Sequence, residues 1–478
     1  IANMRHCQAV VIGGGCGGLA AAAKLKQEGV NDVVLIERDR ELGGVLNQCI
    51  HNGFGLTTFK EQLSGPAFAE RYEQQVFDAE VEVKLGTMVT HMSGDRVIQY
   101  VNTEEGYQQI RADIIILAVG CYERSRGALG IPGERPTGVY TAGQAQRYLN
   151  IDGYLVGKRV FILGSGDIGL IMARRMTLEG AEVLGVAELM PYSNGLPRNM
   201  KQCLDDFGIP LYLSHTVTNI YGHDRLERIE VSEVDADKRP ITGTEMYFDV
   251  DTLLLSVGLI PENTLAEEAG IVMDPSIRGP VVDENYMTSV PGVFACGNGL
   301  HVHDLADFVT KQAGEAALGA IRYIRYINTA MSDKATSDSR TEVASAPGDE
   351  AEAQPQADLQ SGYDDVKNDI TSGLRISDMG KLQSDYDDIR AGNLVGYVVP
   401  ARIHRMNLPK TVTFYFRVRK PMKNITIEIA KGDTVLRTIN KDAVIPSEME
   451  QIVLAGKQLE QACGNLEIRI KEDSHERI

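Results

Sequence analysis

Two glycine-rich turns, each followed by a carboxylate at the same separation, carry the chemistry that can be read from this chain. The first is Gly13-Gly-Gly15-Cys-Gly-Gly18, with Glu37 further on; the second is Gly164-Ser-Gly166-Asp-Ile-Gly169, with Glu188. In such a turn the first glycine permits a tight reversal and the second lets the backbone approach a pyrophosphate. The third lets helix and strand pack closely, and the helix N-terminus faces the negative charge. The carboxylate then accepts hydrogen bonds from an adenosine ribose. At Glu188 it would also repel a 2′-phosphate, which favours NAD over NADP. For the second turn two other readings stay open: a decayed site kept for packing, or one holding another adenine nucleotide.

The elements that must position these turns repeat. Ala9–Ile12 reads as a short buried parallel strand, and the alanines after Leu19 as a helix lying close to a sheet. Val33–Ile36 is a second strand ending at Glu37. Arg159–Leu163, a helix through Arg175 and a strand from Glu182 to Ala187 repeat the plan. Each half closes with a matching strand, one ending at Gly120 and the other at Gly258. The fold class expected is α/β, with two Rossmann-like domains, the second inserted in the first. Residues 1–125 and 259–328 form the first and 126–258 the second. Residues 332–362 are rich in Ser, Ala, Asp, Glu, Gln and Pro, a composition that cannot bury enough surface to offset ordering entropy. We expect a largely disordered acidic linker over 329–392. The alternating Val, Ile, Phe and Tyr that follow predict a small β domain over 393–478.

Composition excludes some roles. The 478 residues carry 48 Lys and Arg against 66 Asp and Glu, a net charge of −18. Gripping nucleic acid needs clustered positive charge, so no nucleic-acid partner is expected. No run approaches the 18 apolar residues of a membrane span. Residues 1–5 lack the features of a secretory signal, and the 7 cysteines form no C-x-x-C pair. Reduced thiols in a cytoplasmic protein fit this better than a disulfide framework.

Two dinucleotides in one chain imply an electron relay, because a flavin accepts a hydride and releases electrons singly or in pairs. The two fingerprints, the strand ending at Gly120 and Thr288-Ser-Val-Pro-Gly-Val-Phe-Ala-Cys-Gly297-Asn298 together resemble the two-dinucleotide-domain flavoproteins that include the pyridine nucleotide-disulfide oxidoreductases. The resemblance covers residues 7 to about 325. It implies FAD in the first domain and NAD(H) in the second, with Gly44, Gly120, Gly297 and Asn298 among the cofactor-binding positions. Two departures stand out. The region where that family keeps paired thiols holds only Cys49, so dithiol chemistry is not expected. The second flavin motif ends in Asn298 where the family usually has Asp; an amide still hydrogen-bonds a hydroxyl but carries no charge.

Asn47-Gln-Cys-Ile-His-Asn-Gly-Phe-Gly-Leu56 and Gly297-Asn-Gly-Leu-His-Val-His-Asp-Leu-Ala306 resemble a narrower branch. It comprises the flavoprotein subunits of sarcosine oxidase (α), hydrogen cyanide synthase and dye-linked proline dehydrogenases. It also comprises the FAD-dependent oxidoreductases associated with glycerol-3-phosphate dehydrogenase, whose likeness extends to Val399-Pro-Ala-Arg-Ile403 and Pro446-Ser-Glu-Met449. The branch implies a partner dehydrogenase subunit that oxidises the substrate, and an oligomer. Three residues are candidates for catalysis. Cys49 is a redox or charge-transfer thiol beside the flavin or, as buried thiols usually are, an inert core residue. His51 suits proton handling because its ordinary pKa lies near neutrality. His303, with His301 and Asp304, is expected to start a helix whose N-terminus faces the flavin. No metal is expected, since the H-x-H-D cluster lacks further ligands at suitable spacing. Arg417, Arg419 and Lys420 form a basic patch in the tail. It either docks an acidic partner or is a solvated strand edge.

Overall fold

Arg5–Ile12 forms a strand because its β-branched and apolar side chains are covered on both faces; Ala9 to Val11 have no exposed surface. In the computed structural model, which describes residues 4–342, 386–404, 408–461 and 464–472, this strand lies at the centre of a seven-stranded sheet. Parallel neighbours on one side are Val33–Ile36 and then Glu82–Lys84; on the other is Gly106–Leu117, which pairs in turn with Val293–Ala295. Two antiparallel strands, Met88–Met92 and Val97–Asn102, extend the sheet. The helix Cys16–Gln27 buries Ala20 to Ala23 against it. Alanines there let a long helix, Ala306–Glu342, approach closely through Ala313, Ala316, Ala317 and Ala320.

The second domain repeats the plan. Five parallel strands run in the order Val139–Thr141, Thr252–Leu255, Arg159–Leu163, Glu182–Glu188 and Leu211–Leu213. The helix Asp167–Leu178 packs on them, and an antiparallel sheet of His215–Tyr221, Arg228–Glu233 and Met246–Asp249 sits beside them. Each glycine turn therefore joins a central strand to the helix that follows it, as the sequence implies.

The tail is a β-sandwich. A five-stranded sheet (Arg402–His404, Tyr386–Ala391, Leu466–Glu472, Met422–Lys431, Thr434–Val444) faces a three-stranded one (Val395–Val399, Thr411–Val418, Glu450–Ala455). Phe414, Phe416, Ile427, Ile429 and Ile452 fill the space between them. Two expectations for the linker are corrected. The long helix continues through Glu342, since extending an existing helix costs far less than nucleating one and its polar extension contains Ala, Met, Lys and Arg. The strand Tyr386–Ala391 also lies inside the expected linker and pairs with Leu466–Glu472; its alternation is obscured because Asp387 points inward. The rest of the linker, 343–385, lies outside the described residues.

Candidate functional site

At the first turn, Gly13 has φ +105° and a Cβ there would overlap the Ala118 carbonyl oxygen; one on Gly18 would overlap the Gly13 carbonyl. Only glycine allows this approach of helix to strand. Gly15 is different: a Cβ there meets nothing within 4 Å, so the helix N-terminus opens onto free space. Gly43 and Gly44 form the far wall, with Gly43 N–H donating to Gly14 O at 2.9 Å. A Cβ on Gly44 would lie 3.2 Å from Gly15 Cα. Glu37 is buried; its Oε2 accepts from Gly14 N at 2.6 Å and its Oε1 from Asp39 N at 2.8 Å. A carboxylate offers about four lone-pair sites, so capacity remains for ribose hydroxyls. This glycine-walled, amide-lined cradle fits the pyrophosphate and adenosine of FAD.

The second turn repeats the carboxylate geometry. Glu188 is buried and its Oε2 accepts from Ser165 N at 3.0 Å and Ser165 Oγ at 2.6 Å; its Oε1 accepts from Met190 N at 2.9 Å. Gly164 and Gly169 press against Ser256, and a Cβ on Gly166 would lie 3.0 Å from Ser256 Oγ. A strap crosses this turn. Asn194 N donates to Ser165 Oγ (2.9 Å), while Leu196 N (2.9 Å) and Asn199 Nδ2 (2.7 Å) donate to Asp167 Oδ1. The turn keeps its glycines and its ribose carboxylate, so the donor set fits a pyridine nucleotide.

The second flavin motif lies beside Gly120, which has φ +74°; a Cβ on Gly299 would lie 3.4 Å from its nitrogen. Gly297 N donates to Gln312 Oε1 at 2.8 Å, and Asn298 Oδ1 accepts from His303 N at 3.0 Å. Because Gly297 N–H must meet an oxygen, the orientation of the Gln312 amide is fixed. His303 Nε2 therefore donates to Gln312 Oε1 (2.9 Å), and Gln312 Nε2 donates to His301 Nε2 (2.8 Å). Each imidazole is left with a buried Nδ1 that has no partner among the described residues: an N–H on His301 and a lone pair on His303. Burial pushes His303 down to about 4 and His301 further, so both are neutral near pH 7.

These positions correct three expectations. His301, His303 and Asp304 precede the helix, which begins at Ala306. Asp304 is not a helix-terminal charge: Arg417 pairs with it, and Met449 N donates to its Oδ2 at 2.6 Å. The tail arginines form no free basic patch. Arg417 also donates to Val302 O and Ser447 O, Arg419 to Val395 O, and Lys420 pairs with Glu472 at 2.7 Å. Arg417 shares the strand face of Tyr415, opposite the sandwich core, and that face is covered by the first domain, which the strand's alternation alone did not reveal. Tyr415, fully buried, packs its ring against His301 and His303 at 5.6 and 5.8 Å. Val399, Tyr415 and Met449 join the first domain's core.

Cys49 and His51 lie on the loop after Gly44. The Cys49 thiol donates to Val45 O at 3.3 Å, and burial pushes it up to about 12, so it is protonated at neutral pH. His51 Nδ1 sits 3.1 Å from Asn52 O and therefore carries the proton. Burial lowers its basicity. The six cysteines among the described residues are all free thiols. Sequence reasoning missed Gln312 and Asp307. Asp307 accepts from Gly55, Thr57 and Thr58 N–H groups at 2.8–3.1 Å and so holds the His51 loop to the long helix. An acidic residue in a helix's first turn was the available signal.

Two cradles of this kind on tandem parallel sheets define an oxidoreductase built around two dinucleotides. The chain belongs to the pyridine nucleotide-disulphide oxidoreductase family, whose model matches residues 7–320. It is thus an FAD-dependent oxidoreductase that works with a pyridine nucleotide. It is 27% identical over 331 residues to hydrogen cyanide synthase subunit HcnB of Pseudomonas protegens, covering 65% of this chain and 67% of that one. It is also 27% identical over 348 residues to the glutamate synthase [NADPH] small chain of Escherichia coli, covering 66% and 68%. Thioredoxin reductase of T. acidophilum shares the fold, with a TM-score of 0.56 and 23% identity over 68% of this chain and 99% of that one. No helix among the described residues is long and apolar enough to cross a membrane.

Proposed function

We propose that the chain is the NAD-facing flavoprotein of a multi-subunit dehydrogenase, in the branch with sarcosine oxidase α and hydrogen cyanide synthase. Its partner subunit would oxidise glycerol 3-phosphate, an amino acid or an amine, without a redox disulfide in this chain. The observation that carries this is the pairing of two intact cradles with a protonated Cys49 that has no second cysteine near it in sequence. Several relatives are named as subunits or small chains, which supports a partnered role.

Residues up to 125 and from 259 to the long helix would hold FAD, and 126–258 the nicotinamide nucleotide. Bound flavin supplies hydride acceptance from NADH and onward release of electrons. Gly13, Gly15, Gly18 and Gly44 would admit its pyrophosphate, Glu37 its ribose, and Gly120, Gly297 and Asn298 the sugar chain. Gly164, Gly166 and Gly169 would seat NAD, with the Glu188 charge disfavouring a 2′-phosphate. His51 is the group best placed to move a proton, being neutral and partly exposed. His303 serves as a fixed hydrogen-bonding group and Cys49 as packing.

Anaerobic addition of NADH to purified yellow protein tests the reading. Rapid bleaching, with little turnover by oxygen alone and co-purification of a dehydrogenase subunit, is expected. Fast turnover with oxygen alone would favour a self-contained NADH oxidase. Bound flavin that NADH never reduces would favour a non-catalytic scaffold and overturn the proposal.

A further inference from the structure

One cavity is lined by no residue of either glycine turn, although Asn199 on its wall is tied to Asp167 beside the second. Of about 650 Å³, it opens between residues 50–62 of the first domain and two helices of the second, Asp167–Leu178 and Pro197–Cys203. Ile171, Arg174, Arg175 and Leu178 reach it from one face of the first helix, as their three- and four-residue spacing requires. Arg198 reaches it from the second, and His51, Asn52 and Gln62 form the opposite wall.

The charges in this cleft are not balanced. Arg175 is paired with Glu179 and donates to Asn150. Arg174 lies over the Phe207 ring at 5.3 Å and donates to the Gln202 carbonyl, yet has no carboxylate partner among the described residues. The Arg198 guanidinium makes no hydrogen bond or ion pair among them; a Cβ on Gly53, across the cleft, would lie 3.0 Å from its Nη2. Asp206, the carboxylate lining the cleft among the described residues, is taken by Lys201; Asp167, near enough to act on His51 and Cys203, accepts from Leu196 and Asn199. Two guanidiniums free of carboxylates therefore meet side-chain amides and an imidazole, on a chain whose net charge is −18. Guanidinium forks match oxyanions closely. A tetrahedral anion presents acceptor oxygens in several directions, where a planar carboxylate offers two oxygens in one plane. Ile50, Ile171 and Leu178 give an apolar surface for an organic group attached to it.

We propose that this cleft binds a phosphate monoester or free phosphate between Arg174 and Arg198, apart from the pyridine nucleotide site. Such an anion touches both domains, so its binding favours the arrangement that brings the His51 loop against the second domain. Phosphate could also come from the nucleotide itself, because Asn199, next to Arg198, is tied to Asp167 at the second turn. The test separates the two sources.

Flavin-loaded protein is titrated calorimetrically with inorganic phosphate and with methyl phosphate, with and without saturating NADH. Saturable binding that NADH does not displace is expected. Arg198→Gln and Arg174→Gln should each weaken it about tenfold, and Arg198→Lys should weaken it less. Flavin content and thermal midpoint, measured on each variant, report that the fold is retained; Arg198 is exposed and makes no hydrogen bond or ion pair among the described residues. No saturable binding at millimolar phosphate, undiminished binding in the double glutamine variant, or displacement by NADH would each overturn the proposal. The wild-type titrations decide it even if a variant fails to fold.

Discussion

The two glycine turns share a backbone plan and differ in what lies over them. Both use a positive-φ first glycine, a third glycine pressed on its own strand-end and a buried glutamate that accepts from the turn's backbone. Over the first, the space beyond Gly15 is open and its far wall is the glycine pair 43–44. Over the second, Ser256 crowds Gly166, and the strap from Asn194 to Asn199 is tied to Ser165 and Asp167. The first turn is open and walled by glycine backbone. The second is more crowded and carries the Asp167 carboxylate in its first helical turn. The same motif thus acquires different surroundings because neighbouring segments, not the glycines, set space and charge.

The sharpest way to break that comparison is to fill both turns. Gly15→Val places its side chain in open space, so the protein should fold but bind almost no flavin, read as loss of visible absorbance. Gly166→Val should stay yellow and lose reduction by NADH. If both variants keep normal flavin and NADH reduction, the assignment of the cradles fails. Next in size, Glu188→Gln removes the charge proposed to face the ribose, keeping one acceptor oxygen and giving up the other of the two that accept from backbone N–H groups. The preference for NADH over NADPH, measured as a ratio of kcat/KM values, should narrow about tenfold. An unchanged ratio would remove Glu188 from that role.

A third prediction concerns the second flavin motif. His303 is held neutral, with its pKa depressed from 6.5 to about 4. In the unfolded chain it takes up a proton below about pH 6.5, so its contribution is full above that and is lost as pH falls toward 4. The loss amounts to about 3 kcal/mol at most. Urea melts at pH 7 and pH 4.5 should differ less in His303→Leu than in the native chain. The smallest effect is expected at Cys49: burial disfavours its thiolate, the reactive form, so Cys49→Ser should change the rate of NADH reduction less than about twofold. A larger loss would restore the thiol to the mechanism.

Much of this was legible beforehand because it is local. A glycine turn, its strand and its helix are neighbours in sequence, and the acidic residue follows at a fixed distance along one βαβ unit. What escaped was non-local. Arg417 and Asp304 are 113 positions apart, and nothing in Thr411–Val418 marks one arginine of an alternating strand as facing a different domain. Gln312 looked like any polar residue on an amphipathic helix, although it orders Gly297, His301 and His303 at once. The strap over the second turn was equally hidden, since two of its three bonds come from backbone N–H groups that every residue but proline carries.

The Arg417–Asp304 bond has a consequence for how the molecule comes into being. Synthesis delivers Gly297 and Asn298 more than a hundred residues before the guanidinium that steadies the turn beside them. A nascent chain paused after the long helix would show water two neutral imidazoles and a solitary aspartate. Full capture of the yellow cofactor would then await the strand Thr411–Val418, and proteolytic removal of the sandwich from the mature protein should loosen it.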